Sequence, residues 1–169
     1  MTFRLNARGQ LFSADLLFAL SVFLFALTFA IVFASQLALR VESIEAYNHK
    51  QDLARNAMNS LMASPGNPAN WQSLADLNST DSIGLARSRN SLSAAKVQAF
   101  VDLNGTAYYS MKTLLGLSRY DFEFTVTDLN GAALAFVGTS PDANSGTIAV
   151  NRLALYNGRE AIARLRVFD

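Results

Sequence analysis

The 169-residue chain contains no cysteine, one histidine and one tryptophan. Without cysteine there is neither a disulfide framework nor a thiolate metal site, so any folded part has to be held by its core. The lone His49 stands beside Lys50 with no Ser-His-Asp arrangement and no metal-ligand spacing around it. It reads as an exposed helix residue, and the chain is expected to be no enzyme and to use no cofactor or metal. An excess of one charge is also missing. Lys and Arg number 14 against 13 Asp and Glu, a net charge of +1, with no basic face of the kind that binds nucleic acid. The tetrads starting at Asp76, Asp102 and Asp128 (Asp-Leu-Asn-Ser or Asp-Leu-Asn-Gly) and the loop 142–146 lack the remaining ligands and closing Glu of a calcium loop. Asp, Asn and Gly in such groupings are turn residues.

What the chain does have is an uneven distribution of grease. Seven of its twelve phenylalanines lie in the first 33 residues, and over residues 11–39 the only ionisable side chain is Asp15. As a helix these 29 residues span about 44 Å at 1.5 Å per residue, more than the hydrocarbon core of a bilayer. A cleaved secretory signal has an apolar region of roughly 7 to 15 residues before a small-residue cleavage site, and Ala34-Ser35-Gln36 fits that site poorly. A single-pass anchor remains open. So does a third reading, because an anchor needs none of what precedes the run: Arg4, Arg8, Gly9 and Gln10, then Ser13 and Asp15 one turn in.

These residues resemble the short leader of type IV pilins and pilin-like proteins, specifically the archaeal form, in which a basic residue and Gly precede a Gln that begins the mature chain. The resemblance implies that a membrane aspartic peptidase recognises Arg8 and cuts between Gly9 and Gln10, leaving the apolar segment in the mature protein. It further implies that Asp15, once helices bundle, is neutralised by the freed terminal amine of a neighbouring subunit, with large side chains such as Phe18 and Phe25 interlocking in the filament core. The family places its small hydroxyl third and its acid fifth. Counting from Gln10, Ser13 is fourth and Asp15 sixth; counting from Leu11 restores both. The cut therefore falls after Gly9 with a shifted carboxylate, or one residue later.

Beyond residue 39 the pattern becomes amphipathic. Ile44, Tyr47, Ala54, Met58 and Leu61 recur at helical spacing among Glu42, Glu45, Lys50, Asp52 and Arg55, with no Pro or Gly before Pro65-Gly66. One helix over residues 11–63 is expected, its second half packed on the chain's own head. Trp71, just after the proline turn, is expected to plug that turn onto the core. Residues 93–103 and 107–115 read as two short helices. Then the period changes to two: Tyr120, Phe122, Phe124 and Val126 alternate with Asp121, Glu123, Thr125 and Thr127, which predicts a strand with a solvated acidic face. Asn130-Gly131 predicts a type I′ hairpin turn and Asn157-Gly158 the turn of a second hairpin, giving four antiparallel strands in meander order.

The expected fold class is α+β: a leader (1–9), a stalk helix (10–63, hydrophobic to 39 and amphipathic after it) and a head (64–169) with short helices and a four-stranded antiparallel sheet. The expected function is that of a structural subunit polymerising through its N-terminal helix into a surface filament. Its partners would be further copies of itself, a prepilin-type leader peptidase and, before assembly, the cytoplasmic membrane. Arg40, Lys50 and Arg55 balance Arg4 and Arg8, so charge alone leaves the orientation open. The sequons at Asn78 and Asn104 favour an exported head as candidate N-glycosylation sites. The alternatives are a single-pass anchored surface protein with an extracellular binding head, and a minor or adhesive pilin.

Overall fold

The computed structural model describes residues 7–169 except 75, 76 and 144. Helix α1 runs over Ala7–Ala63. Residues up to Tyr47 form one unit and Asn48–Asp169 a second. In the first unit the 24-residue segment Ala14–Leu37 is long and apolar enough to cross a membrane, and none of it is buried.

In the second unit the last turns of α1 bury Lys50, Ala54, Ala57, Met58 and Leu61, a stripe at the spacing of one helical face. The stripe starts at Lys50, not at Ile44 as its periodicity predicted; Ile44 and Tyr47 are exposed because they precede the compact second unit. Pro65 ends the helix. Of its last carbonyls, which lack intrahelical donors, Leu61 O accepts the Leu85 N–H (2.8 Å), and the Ser60 hydroxyl of the helix in turn donates to Ile83 O (3.1 Å). Strands β1 (Gly66–Asn67) and β2 (Ser82–Ile83) form a two-residue clasp over this end. Trp71 is fully buried behind it, its Nε1–H donating to Gly84 O at 2.9 Å. A plug was the expected role.

The main sheet is six-stranded and mixed, which corrects the four-stranded antiparallel expectation. Strands β3 (Ala86–Ser88), β4 (Ser91–Leu92), β5 (Asp121–Asp128), β6 (Ala133–Gly138), β7 (Ile148–Tyr156) and β8 (Arg159–Phe168) are ordered β3-β4-β7-β8-β5-β6, with β4 and β7 parallel. The meander order fails as well. Strand β5 pairs with β8, from Asp121 opposite Phe168 to Asp128 opposite Ala161, so two hairpins lie side by side. The length of the link 139–147 permits this order. Nine residues reach up to about 30 Å, ample for the three strand spacings of about 4.8 Å between β6 and β7.

Helices α2 (Ala94–Asp102) and α3 (Tyr108–Leu114) occupy the two segments that the sequence marked as helical. Phe100 of α2 stacks on Phe122 (6.3 Å) and meets Phe124 edge-on (5.9 Å), while Tyr108 stacks on Phe122 at 5.2 Å. Ala161, Ala163, Leu165 and Val167 of β8 belong to the same buried cluster. The fold is thus α+β, a long apolar N-terminal helix followed by a head of helices and a mixed sheet.

Both turn predictions meet the backbone, with different results. Asn157 and Gly158 have φ of 52° and 76°, the two positive values that a type I′ turn requires. At the other hairpin only Gly131 is positive (87°), and Gly131 N–H donates to Asp128 O. That loop is a four-residue connection with a register shift at Thr127, because the Asp128 carboxylate accepts the N–H groups of Asn130 and Ala132. An acceptor at that position ties the loop into a wider turn than Asn-Gly alone makes.

Candidate functional site

Fourteen large apolar side chains between Leu16 and Leu37 are 44 to 77% exposed. Leaving them in water costs on the order of 10 to 25 kcal/mol, which equals or exceeds the whole stability of a typical domain, about 5 to 15 kcal/mol. An exposed apolar surface of this size is suited to a lipid or protein cover. Its own polar groups are already suited to a dry environment. Ser21 Oγ donates to Leu17 O, Thr28 Oγ1 to Leu24 O and Ser35 Oγ to Val32 O, each at 2.8 Å, so no hydroxyl needs an outside partner. Phe18 and Phe25 project as two of the most exposed rings, and Phe29 and Phe33 stack at 6.4 Å. Asp15, also exposed, is the one ionisable side chain in Ala14–Leu37. Arg8, Gly9 and Gln10 lie in the backbone of α1; Arg4 lies outside the described residues.

In the head the structure builds three ion pairs that sequence reasoning missed. Lys50 Nζ donates to Asp169 Oδ2 (2.5 Å) and Gly146 O (3.0 Å) and sits 4.9 Å above the Tyr120 ring. Its place four residues before Ala54 and eight before Met58 put it on the buried stripe, a signal that its charge masked. The acidic face predicted for β5 is only partly solvated: Asp121 is half-exposed, whereas Glu123 is not. Glu123 is buried and accepts from Arg166, directly opposite on β8, with Nε at 2.8 Å. Asp121 accepts from Lys112 Nζ (2.7 Å) and from the Tyr108 hydroxyl (3.1 Å). Opposite charges at facing polar positions of two strands stabilise the pairing, and that is visible only once β5 is known to lie beside β8.

The Lys112 hydrogen bond is the largest influence on Asp121 and, against the opposing effect of burial, holds its carboxyl below the usual aspartate value of 3.8. A lowered carboxylate pKa contributes stability that is present above the unfolded value and lost as pH falls through the folded one. Asp121→Asn is therefore expected to melt at a lower temperature than the parent at pH 7, with the gap closing as pH drops below about 4. Thermal scans at pH 7, 5, 4 and 3 check this, and a gap that widens on acidification contradicts it.

The sequon asparagines differ in setting. Asn78 is exposed, whereas the Thr80 of its sequon is buried. Asn104 is half-buried, and its Oδ1 accepts the Gly138 N–H at 2.7 Å, tying the α2–α3 link to the end of β6. A glycan would use Nδ2, so that bond leaves the chemistry open. His49 is exposed. Among the described residues no group of three His, Cys, Asp or Glu side chains is placed to hold a metal. Asp76 and Asn144, which fall in the motifs read as turns, lie outside the described residues. Set against protein-family models, curated proteins and solved structures, the chain matches none of them.

Proposed function

We propose that the chain is a pilin-like structural subunit of a surface filament. The observation that carries this reading is the segment Ala14–Leu37, fully uncovered, with a single carboxylate at its N-terminal edge and a separately cored unit after it. In the membrane, lipid covers the apolar surface and Asp15 reaches the interface. In the filament, neighbouring copies of the same helix cover it, and Asp15 is neutralised by the amine freed on a neighbour when the leader is removed at Gly9. The head then lies outside the cell. The resemblance of Arg8, Gly9, Gln10, Ser13 and Asp15 to an archaeal pilin leader supports the same reading. A single-pass anchor covers the apolar surface equally well but gives no role to Gly9 or Asp15.

Gly9→Trp separates the two. For a filament subunit, the variant is expected to keep its leader, to run about nine residues longer than the processed parent, and to vanish from the sheared surface fraction while accumulating in the membrane. Unchanged length and surface yield, read by immunoblot of both fractions, would reduce the protein to an anchored surface domain.

A further inference from the structure

Strands β5 and β8 stay paired up to Asp128 opposite Ala161, and beyond that pair the chain parts into the 129–132 loop and the Asn157-Gly158 turn. Between them lies a cleft of about 680 Å³, within the roughly 300 to 1,000 Å³ usual for small-molecule sites. Tyr156 and Arg159 line it as directly opposed residues of β7 and β8, so the ring and the guanidinium stand on the same side of the sheet. The frame is fixed by the Asp128 carboxylate bonds to Asn130 N (2.9 Å) and Ala132 N (2.7 Å), and by the positive φ of Gly131, Asn157 and Gly158.

What sets this cleft apart is its idle polar side chains. Arg152, Arg164 and Arg166, on the same two strands, donate to Asn59, Asn151 and Glu123 respectively. Among the described residues, the side chains of Asn130, Asn157 and Arg159 and the Tyr156 hydroxyl make no hydrogen bond or ion pair within the chain, although all line one cleft. Two amides that donate and accept and a guanidinium that only donates surround an aromatic ring, with the Asp128 carboxylate at the margin as acceptor. Such a set matches a pyranose, which offers hydroxyls of both kinds around its edge and a C–H face for the ring. Charge narrows the class. Arg159 is offset by Asp128, so no cationic surplus selects a phosphate, sulfate or sialic acid. A shallower groove between α2 and β6, of about 320 Å³ and lined by Val97, Val101 and Phe136, shares Leu134 and Tyr156 with the cleft and gives a second unit somewhere to lie.

We infer that the cleft between the β5–β6 and β7–β8 turns is a binding site for neutral hexose oligosaccharides. The site lies wholly within the head and serves a filament subunit or an anchored surface protein alike, so it stands or falls separately from the filament reading.

The test uses the full chain in lipid nanodiscs, because sugar-headed detergents would compete. Saturation-transfer NMR and calorimetric titration are run with maltose, lactose and mannobiose, and with sialyllactose as the anionic comparison. The expected result is transfer to a neutral disaccharide with a dissociation constant near ~1 mM, weakened about tenfold or more by Arg159→Ala and by Asn130→Ala and untouched by Arg164→Ala. Both cleft variants alter exposed side chains without internal partners, so their melting temperatures should match the parent's. No transfer from any neutral sugar at about 10 mM, equal binding by the cleft variants, or a preference for sialyllactose over lactose would each overturn the assignment.

Discussion

Asp15→Ala is expected to insert into the membrane at least as well as the parent chain and to produce no filaments. Removing a carboxylate from an apolar helix makes insertion easier, by up to about 2.5 to 3.5 kcal/mol at mid-membrane and less near an end, where Asp15 sits. Assembly responds in the opposite direction. In the proposed filament the carboxylate would partner a neighbour's terminal amine, and deleting it would leave that cation buried without compensation, which costs roughly 3 to 5 kcal/mol. Each added subunit meets the same penalty, so the association constant per step falls by about two to three and a half orders of magnitude. Electron microscopy of sheared material, with carbonate extraction of membranes alongside, reads both effects. Asp15→Glu, which keeps the charge, should restore part of the filament yield. Filaments at parental abundance from Asp15→Ala would remove the role assigned to this residue.

Trp71→Ala is the second change with a large expected effect, and it concerns the head alone. The indole is fully buried and satisfies the Gly84 carbonyl, so truncation leaves both a cavity and an orphaned acceptor. Large-to-small aromatic substitutions cost about 3 to 5 kcal/mol, and an unsatisfied buried carbonyl adds about 1 to 3 kcal/mol. Against a total of roughly 5 to 15 kcal/mol, the head is expected to be largely unfolded. The same region offers an independent check. A Cβ at Gly84 would stand 2.1 Å from Ser64 O and 2.5 Å from Gly66 N, and one at Gly66, already at φ 88°, would stand 2.5 Å from the indole Cδ1. Backbone cannot yield as a side chain can, so Gly84→Ala should prise β1 from β2 and lower the denaturation midpoint substantially. A loss below about 1 kcal/mol in either variant contradicts the picture of a tightly closed clasp.

Much of this architecture could be read from residue order, and the reasons are local. The break-free run from residue 11 to Pro65 specifies one helix, and the two-residue alternation after Tyr120 specifies strands, because both signals are periods of a single chain segment. Asn157-Gly158 reads correctly since its two positive φ values are a property of the turn residues themselves. What stayed hidden depends on partners far along the chain. The sequence of β5 looks like a half-solvated strand until Arg166 and Lys112 are brought to Glu123 and Asp121. Asn130-Gly131 looks like a two-residue turn until the Asp128 side chain claims two of its N–H groups. Strands β1 to β4, two or three residues each, are too short to carry a period at all. The cleft follows the same rule, being assembled from two turns whose proximity depends on β8 pairing with β5.

The apolar helix is the reverse case: its composition is plain in the sequence, yet composition alone does not say what covers it. Lipid and sister helices offer the same dry surroundings to Phe18, Phe25 and their neighbours. Only Gly9 and Asp15 distinguish the two, since processing and charge neutralisation matter to a subunit and not to an anchor.

The most direct measurement is therefore the N-terminal peptide of the mature protein, identified by mass spectrometry of membrane and surface fractions. A surface-fraction chain starting at Gln10 or Leu11 is the predicted result, and which of the two is found fixes the register of Asp15. A chain starting at Met1 in both fractions would contradict the account of a processed filament subunit.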